Sequence, residues 1–146
     1  MKTIIINDKN AKDFIGCTIT YGHFSTIHPG HIRYLSNAKK KGNKLVIAII
    51  GDCKNDENLR FKYSQKDRAD ALNILNLADG LFLLKKDFLS EVIISLEPSN
   101  LVLGNEFKYS NNSEIIKSIN ILKKQGGSIF FDAGEITYTS SYLLEE

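Results

Sequence analysis

The stretch Thr20-Tyr-Gly-His-Phe-Ser-Thr-Ile-His-Pro-Gly-His31 decides how this chain is read, because it holds all three histidines of the sequence, His23, His28 and His31. An apolar run over 15–19 precedes it, and Ile32-Arg-Tyr-Leu-Ser-Asn-Ala-Lys39 follows with helical spacing. Strand, glycine turn and helix start in that order describe an anion site. The first turn of a helix carries unpaired backbone N–H groups and a partial positive charge, so a phosphate is expected to rest there. Pro29 suits the first turn, where its missing N–H would have no partner. His28 and His31 are three apart, which sets both rings on roughly one face of a helix start. Two imidazoles over such a helix end point to phosphate chemistry.

Outward from this stretch, apolar β-rich runs alternate with helical patterns. Strands are expected over 15–21, 44–50, 80–84, 100–103 and 128–131, and helices over 30–41, 65–77, 88–96 and 113–125. Gly42, Gly126 and Gly127 stand where helices should stop. The alternation predicts an α/β fold, a Rossmann-like doubly wound parallel sheet of about five strands with right-handed crossovers. Several strands read as near-continuous apolar runs, as a sheet covered on both faces requires. Ligands of such sheets bind beyond the carboxyl ends of the strands. That rule aligns the histidine loop, Gly51-Asp52 and Gly104-Asn105 along one rim. Residues 1–14 fit the pattern less well and read as an N-terminal arm or edge element, with 15–146 as a single domain.

Composition narrows the class. The chain has 146 residues, enough for one domain with a sizeable core. A net charge of +2 gives no concentrated basic field of the kind nucleic acid requires. Lys39-Lys-Lys41 sits before Gly42, at a helix end where the dipole favours cations. Cys17 and Cys53 show neither metal-type spacing nor a secreted framework. The apolar start over 1–6 is too short for a secretory signal, and no run approaches membrane-spanning length. A cytoplasmic protein with no membrane and no nucleic-acid partner is the expectation.

His28-Pro-Gly-His31 resembles the His-x-Gly-His signature of the cytidylyltransferase-like nucleotidyltransferases. Within that group the chain resembles glycerol-phosphate cytidylyltransferases and the adenylyltransferase domain of bifunctional heptose-phosphate enzymes. Further matches follow in order: Tyr21-Gly-His-Phe24 and His31-Ile-Arg-Tyr-Leu35, then Asp67-Arg-Ala-Asp-Ala-Leu72. Leu103-Gly-Asn-Glu-Phe107 and Ile136-Thr-Tyr-Thr-Ser-Ser-Tyr-Leu143 complete the series. The resemblance implies that a substrate phosphate attacks the α-phosphorus of CTP or ATP, with Mg2+ accompanying the triphosphate and pyrophosphate leaving. It implies a catalytic set of His28, His31 and Arg68. Tyr21, Gly22, His23, Phe24 and Gly30 would form the phosphate loop, and Arg60 or Lys62 a cationic clamp. Gly104 and Asn105 would contact the nucleotide, Thr139, Ser140 and Ser141 would make a second phosphate cradle, and Asp52 and Glu106 would face the substrate. No residue is assigned as a resident metal ligand. Relatives are often homodimers, and in some the domain is fused to a sugar kinase.

Several points stay open on the sequence. His23 contacts phosphate or substrate, or is a surface residue. Arg68 reaches phosphate or braces the site through an ion pair. Asp52 faces the substrate or closes a turn. Ser25 stands where many relatives carry Asp, and 132–136 lacks the Arg that glycerol-phosphate enzymes place upstream of the Ser/Thr cluster. The second departure tilts the chain towards the heptose-type branch. Two rivals remain: a non-catalytic nucleotide-binding module of the same fold, and a metalloprotein using the clustered histidines.

Overall fold

The computed structural model describes residues 3–52 and 62–131. Within them the alternation of apolar runs and helical patterns becomes a parallel sheet with helices on both faces. The strands are β1 (Ile4–Ile5), β2 (Thr18–Gly22), β3 (Leu45–Ile49), β4 (Gly80–Leu83), β5 (Asn100–Leu103) and β6 (Ser128–Phe131). The helices are α1 (Pro29–Lys39), α2 (Gln65–Leu75), α3 (Leu89–Leu96) and α4 (Ser113–Lys124), with 3-10 turns at Ala11–Phe14 and Asn105–Phe107. The strand order is β1-β4-β3-β2-β5-β6 and every pairing is parallel.

The sheet therefore has six strands, one more than the sequence led us to expect. The extra strand is β1, with Ile4 opposite Gly80 and Ile5 opposite Leu81. This is the edge element offered for residues 1–14; two residues are too few to show a period, so pairing with β4 decides between strand and arm. Phe14, at the end of the first 3-10 turn, is buried in the core.

The period of two along each strand divides the core. Ile19, Tyr21, Val46, Ala48, Leu101 and Leu103 pack towards α3 and α4 with Leu89, Val92, Ile93 and Leu122. Leu45, Ile47, Ile49, Leu81 and Val102 pack towards α1 and α2 with Tyr34, Leu35, Ala38 and Leu72. Burial on both faces is why β3 reads as Leu-Val-Ile-Ala-Ile without a polar break. Each large side chain so buried contributes about 1.5–3 kcal/mol. Cys17 belongs to this core, and burial pushes its thiol up to about 12.

The first strand of the alternating series, β2, lies between β3 and β5. The chain leaves β2 through α1 towards β3, while β5 arrives on the other side. This reversal opens a crevice beyond the carboxyl ends of β2 and β5. Their register runs from Thr18 opposite Asn100 to Thr20 opposite Val102. Where the ladder stops, the buried Tyr34 of α1 takes over: its hydroxyl donates to the Val102 carbonyl and accepts from the Tyr21 N–H at 3.2 Å. No helix among the described residues is long and apolar enough to cross a membrane.

Candidate active site

The histidine loop begins where β2 ends. His28 is the N-cap of α1 in extended backbone, and its Nδ1 accepts from the Gly30 N–H at 3.0 Å. The His31 Nδ1 accepts in return from the His28 N–H at 3.2 Å, completing a reciprocal capping box made of imidazoles. The two rings stack with centroids 3.9 Å apart and planes inclined by 27°. His23 follows the same rule, its Nδ1 accepting from the Ser25 N–H at 3.2 Å. An imidazole that accepts at Nδ1 and is neutral carries its proton on Nε2. The hydrogen-bond network thus assigns the Nε2–H tautomer to all three rings.

This geometry corrects the backbone-cradle expectation. Pro29 has no N–H, the Gly30 N–H goes to His28, and the His31 and Ile32 N–H groups both reach the His28 carbonyl, at 2.9 and 3.3 Å. The first turn has spent its backbone donors on its own cap. What it presents in their place is imidazole Nε2–H. Partial burial, then the neighbouring His28 and His23, lower the pKa of His31 from 6.5 to about 4, so at neutral pH the ring is an uncharged donor.

Phe24 holds the loop in shape. It is buried, adopts a left-handed backbone with φ of 53°, and sets its ring 5.7 Å from that of His31. A side chain on Gly22 would press against the Phe24 ring. A groove of about 400 Å3 runs between this loop and α2, walled by Phe24, Ile27, Tyr63, Ala71 and Leu75; none of the three histidines lines it. The Ser25 hydroxyl, also at this groove, is buried without a partner among the described residues.

Arg68 is the hub of the rim. Its side chain is 1% exposed. Nε donates to the Tyr63 carbonyl at 3.1 Å, Nη1 to the carbonyls of His23 and Ile50 at 2.8 Å each, and Nη2 to that of Gly51 at 3.1 Å. Nη2 also lies 3.5 Å from the Asp52 carboxylate. Burial pulls the guanidinium pKa down and Asp52 opposes that pull. Of the two roles the sequence left open, these contacts describe the brace: five donors in a rigid fork tie the ends of β2 and β3 to the start of α2. Asp52 accepts from the Gln65 N–H as well, capping α2 alongside Ser64. Gly51 admits no side chain, since a Cβ there would collide with the Lys85 carbonyl.

Other expected site residues fall in varied places. The Tyr21 ring sits in the core on the α3–α4 face, its hydroxyl donating to the Asp87 carbonyl at 2.8 Å; burial and the charges of Asp87 and Glu114 raise its pKa. Gly104 leads into the 3-10 turn Asn105–Phe107, where Asn105 and Glu106 are exposed and the Glu106 carboxylate folds back over Gly104. Lys62 is exposed, its Nζ 5.6 Å from the Tyr63 ring centroid. Arg60, Thr139, Ser140 and Ser141 lie outside the described residues. Sequence reading passed over Tyr34 and Gln65. Gln65 Nε2 bridges the carbonyls of Ile49 and Leu84, at 2.9 and 2.8 Å. Neither residue carries a local signal, because the partners stand 13 to 68 positions away.

Comparison with known proteins gives the family and the fold. Residues 19–143 match the sequence profile of the cytidylyltransferase-like family. The bifunctional protein HldE of Blochmanniella floridana is 30% identical over 115 residues, covering 76% of this chain and 23% of that protein. An FAD synthase of Methanohalobium evestigatum is 27% identical over 101 residues, 69% of this chain and 67% of that protein. The chain thus spans about a quarter of the length of the HldE relative. In fold it is similar to the lipopolysaccharide core biosynthesis protein from Thermoplasma volcanium GSS1, with a TM-score of 0.64 at 21% identity over 84% of this chain and 97% of that one. The chain belongs to the cytidylyltransferase-like family of nucleotidyltransferases.

Proposed function

We propose that this member of the cytidylyltransferase-like family transfers a nucleotidyl group from ATP or CTP to a phosphorylated sugar or polyol, releasing pyrophosphate. The observation that carries the reading is the imidazole capping box, which fixes two stacked Nε2–H donors at the start of α1. In the reaction an oxygen of the acceptor phosphate bonds to the α-phosphorus, and the bond from that phosphorus to the bridging oxygen breaks. Charge grows on the phosphoryl oxygens and the leaving group. Donors held in place beforehand stabilise that charge without reorganising. His28 and His31 would supply them from Nε2, with each Nδ1 committed to the cap. Protonating Nδ1 would set N–H against N–H at two points and open the helix cap.

Arg68 would keep the loops that flank the phosphates in register, and Gly104 and Asn105 would border the nucleotide. His23 would stand beside them at the loop's exposed side. Among the described residues no group of three or more His, Cys, Asp or Glu is placed to hold a metal ion. Mg2+ accompanying the triphosphate would neutralise part of its charge. Arg60, Lys62 and the Ser/Thr cluster 139–141 would close around the same anion. The length of the HldE relative suggests a second activity beside this domain, such as a sugar kinase. The FAD synthase relative adds a flavin phosphate to the acceptors worth offering.

The test is pyrophosphate release with Mg2+, ATP and CTP in separate arms, against sugar, polyol and flavin phosphates. Release should require an acceptor, and His31→Ala should lower its rate at least ~10³-fold. Full activity in His31→Ala would contradict the reading. The Ser25 replacement favours one alternative, a nucleotide-binding module without turnover. A nucleotide-dependent rise in melting temperature with no release in any arm would identify it.

A further inference from the structure

The loop between β4 and α3 carries a buried carboxylate oxygen, Asp87 Oδ1, that makes no hydrogen bond among the described residues. The residue as a whole is only 9% exposed. A carboxylate just before a helix would ordinarily cap it. Here that position is filled from elsewhere. Phe88, the N-cap of α3, makes no side-chain cap, and Glu114 of α4 accepts instead from the Ser90 N–H at 3.0 Å and from the Ser90 hydroxyl.

The loop is nevertheless held firmly. The Asp87 carbonyl accepts from the Tyr21 hydroxyl at 2.8 Å and from the Leu89 N–H at 2.9 Å. The Lys86 carbonyl accepts from the Gly51 N–H at 2.8 Å, and the Gly51 carbonyl is one of those bound by Arg68, which also holds His23. One chain of hydrogen bonds thus joins the Asp87 loop to the histidine loop along the same rim. A buried carboxylate oxygen left without a donor is unfavourable, and a fixed backbone prevents it from turning away. A ligand that brings a donor would complete it.

We propose that Asp87 is a specificity-determining residue of the acceptor site, accepting a hydrogen bond from a hydroxyl group of the phosphorylated acceptor. The inference rests on the transfer reading above. An acceptor that keeps its single phosphate at the histidines can turn a hydroxyl towards Asp87 while holding less negative charge near the carboxylate than a triphosphate would. Its surroundings suit such a molecule. The rings of Tyr21 and Phe107 meet edge to face at 5.9 Å on the same α3–α4 side of the sheet, opposite the α1 side that carries the imidazoles. An acceptor spanning the rim would hold its phosphate at the histidines and extend a hydroxyl to Asp87. A site built to pair a substrate hydroxyl discriminates strongly against analogues that lack it.

The experiment uses the full chain and Asp87→Asn, which keeps the shape and removes the charge. Pyrophosphate release is measured with ATP and CTP against glycerol 3-phosphate, mannose 1-phosphate and FMN, each of which carries hydroxyls besides its phosphate. The variant should lose at least tenfold in kcat/KM for the acceptor that wild type uses, with KM for the nucleotide within twofold. Its ligand-free melting temperature should equal or exceed that of wild type, since Oδ1 makes no hydrogen bond that the substitution could remove. A fall in melting temperature would make Asp87 structural and overturn the proposal, as would unchanged acceptor constants. No acceptor-dependent release from wild type would overturn the transfer reading and this inference together. Wild-type turnover with an indifferent Asp87→Asn would overturn this inference alone.

Discussion

Two loops leave the same rim of the sheet and are built in opposite ways. In the loop after β2, each imidazole finds a backbone donor two or three residues away, so that cap, tautomer and ring orientation are settled locally. In the loop after β4, the Asp87 carbonyl is held by Tyr21 from 66 residues away, the following helix is capped by Glu114 from 24 residues away, and the Asp87 Oδ1 is left without a donor among the described residues. The first loop is complete before any ligand comes. The second is rigid but unfinished. A site that grips the invariant part of a reaction is served by the first design, and one that selects among acceptors by the second.

The strongest way to break this contrast is to cut the tie between the loops. Arg68→Ala would leave the carbonyls of His23, Ile50 and Gly51 without their buried donor, and should cost about 3–5 kcal/mol in chemical denaturation. A loss below about 1 kcal/mol would mean that the loops stand independently. Arg68→Lys, with the charge but not the planar fork, should recover only part of the loss.

A smaller effect sharpens the local half of the contrast. The folded-state pKa of His31 lies near 4, below the ordinary 6.5, so the unfolded chain binds the extra proton first as pH falls. The stabilisation is fully present above pH 6.5 and is lost as pH drops towards 4, by roughly 3 kcal/mol over that window. His31→Asn keeps a side-chain acceptor for the His28 N–H without titrating there. The difference in unfolding free energy between wild type and His31→Asn should shrink steadily from pH 7 to pH 4.5. A difference that stays flat would detach the cap from the titration.

The same contrast explains what could be read from the sequence. The strands β5 and β6 and the four helices lie where their patterns put them, within a residue or two at each end, because both are written in local periodicity. The histidine cluster was legible because its members are neighbours in sequence. Its mode of action was not: pattern reading expects Ser, Thr, Asp or Asn at a helix N-cap and leaves the first-turn N–H groups for a ligand, whereas His28 and His31 consume them. Arg68 could be placed on its helix, but its choice between phosphate and carbonyls depends on three loops meeting. Tyr34, Gln65 and Asp87 escaped notice for the same reason. Each is defined by a partner, or by the lack of one, that only the folded sheet brings near.

The central claim is that His28 and His31 accept at Nδ1 and present Nε2–H donors. Long-range 1H–15N correlation of the imidazole rings at pH 7, with and without ATP and Mg2+, tests it most directly. The account predicts an unprotonated Nδ1 and a protonated Nε2 in both rings before nucleotide binds, and the same tautomer afterwards with the Nε2–H signals shifted. A Nδ1–H tautomer in either ring, or an imidazolium at His31 in the nucleotide-free protein at neutral pH, would contradict it.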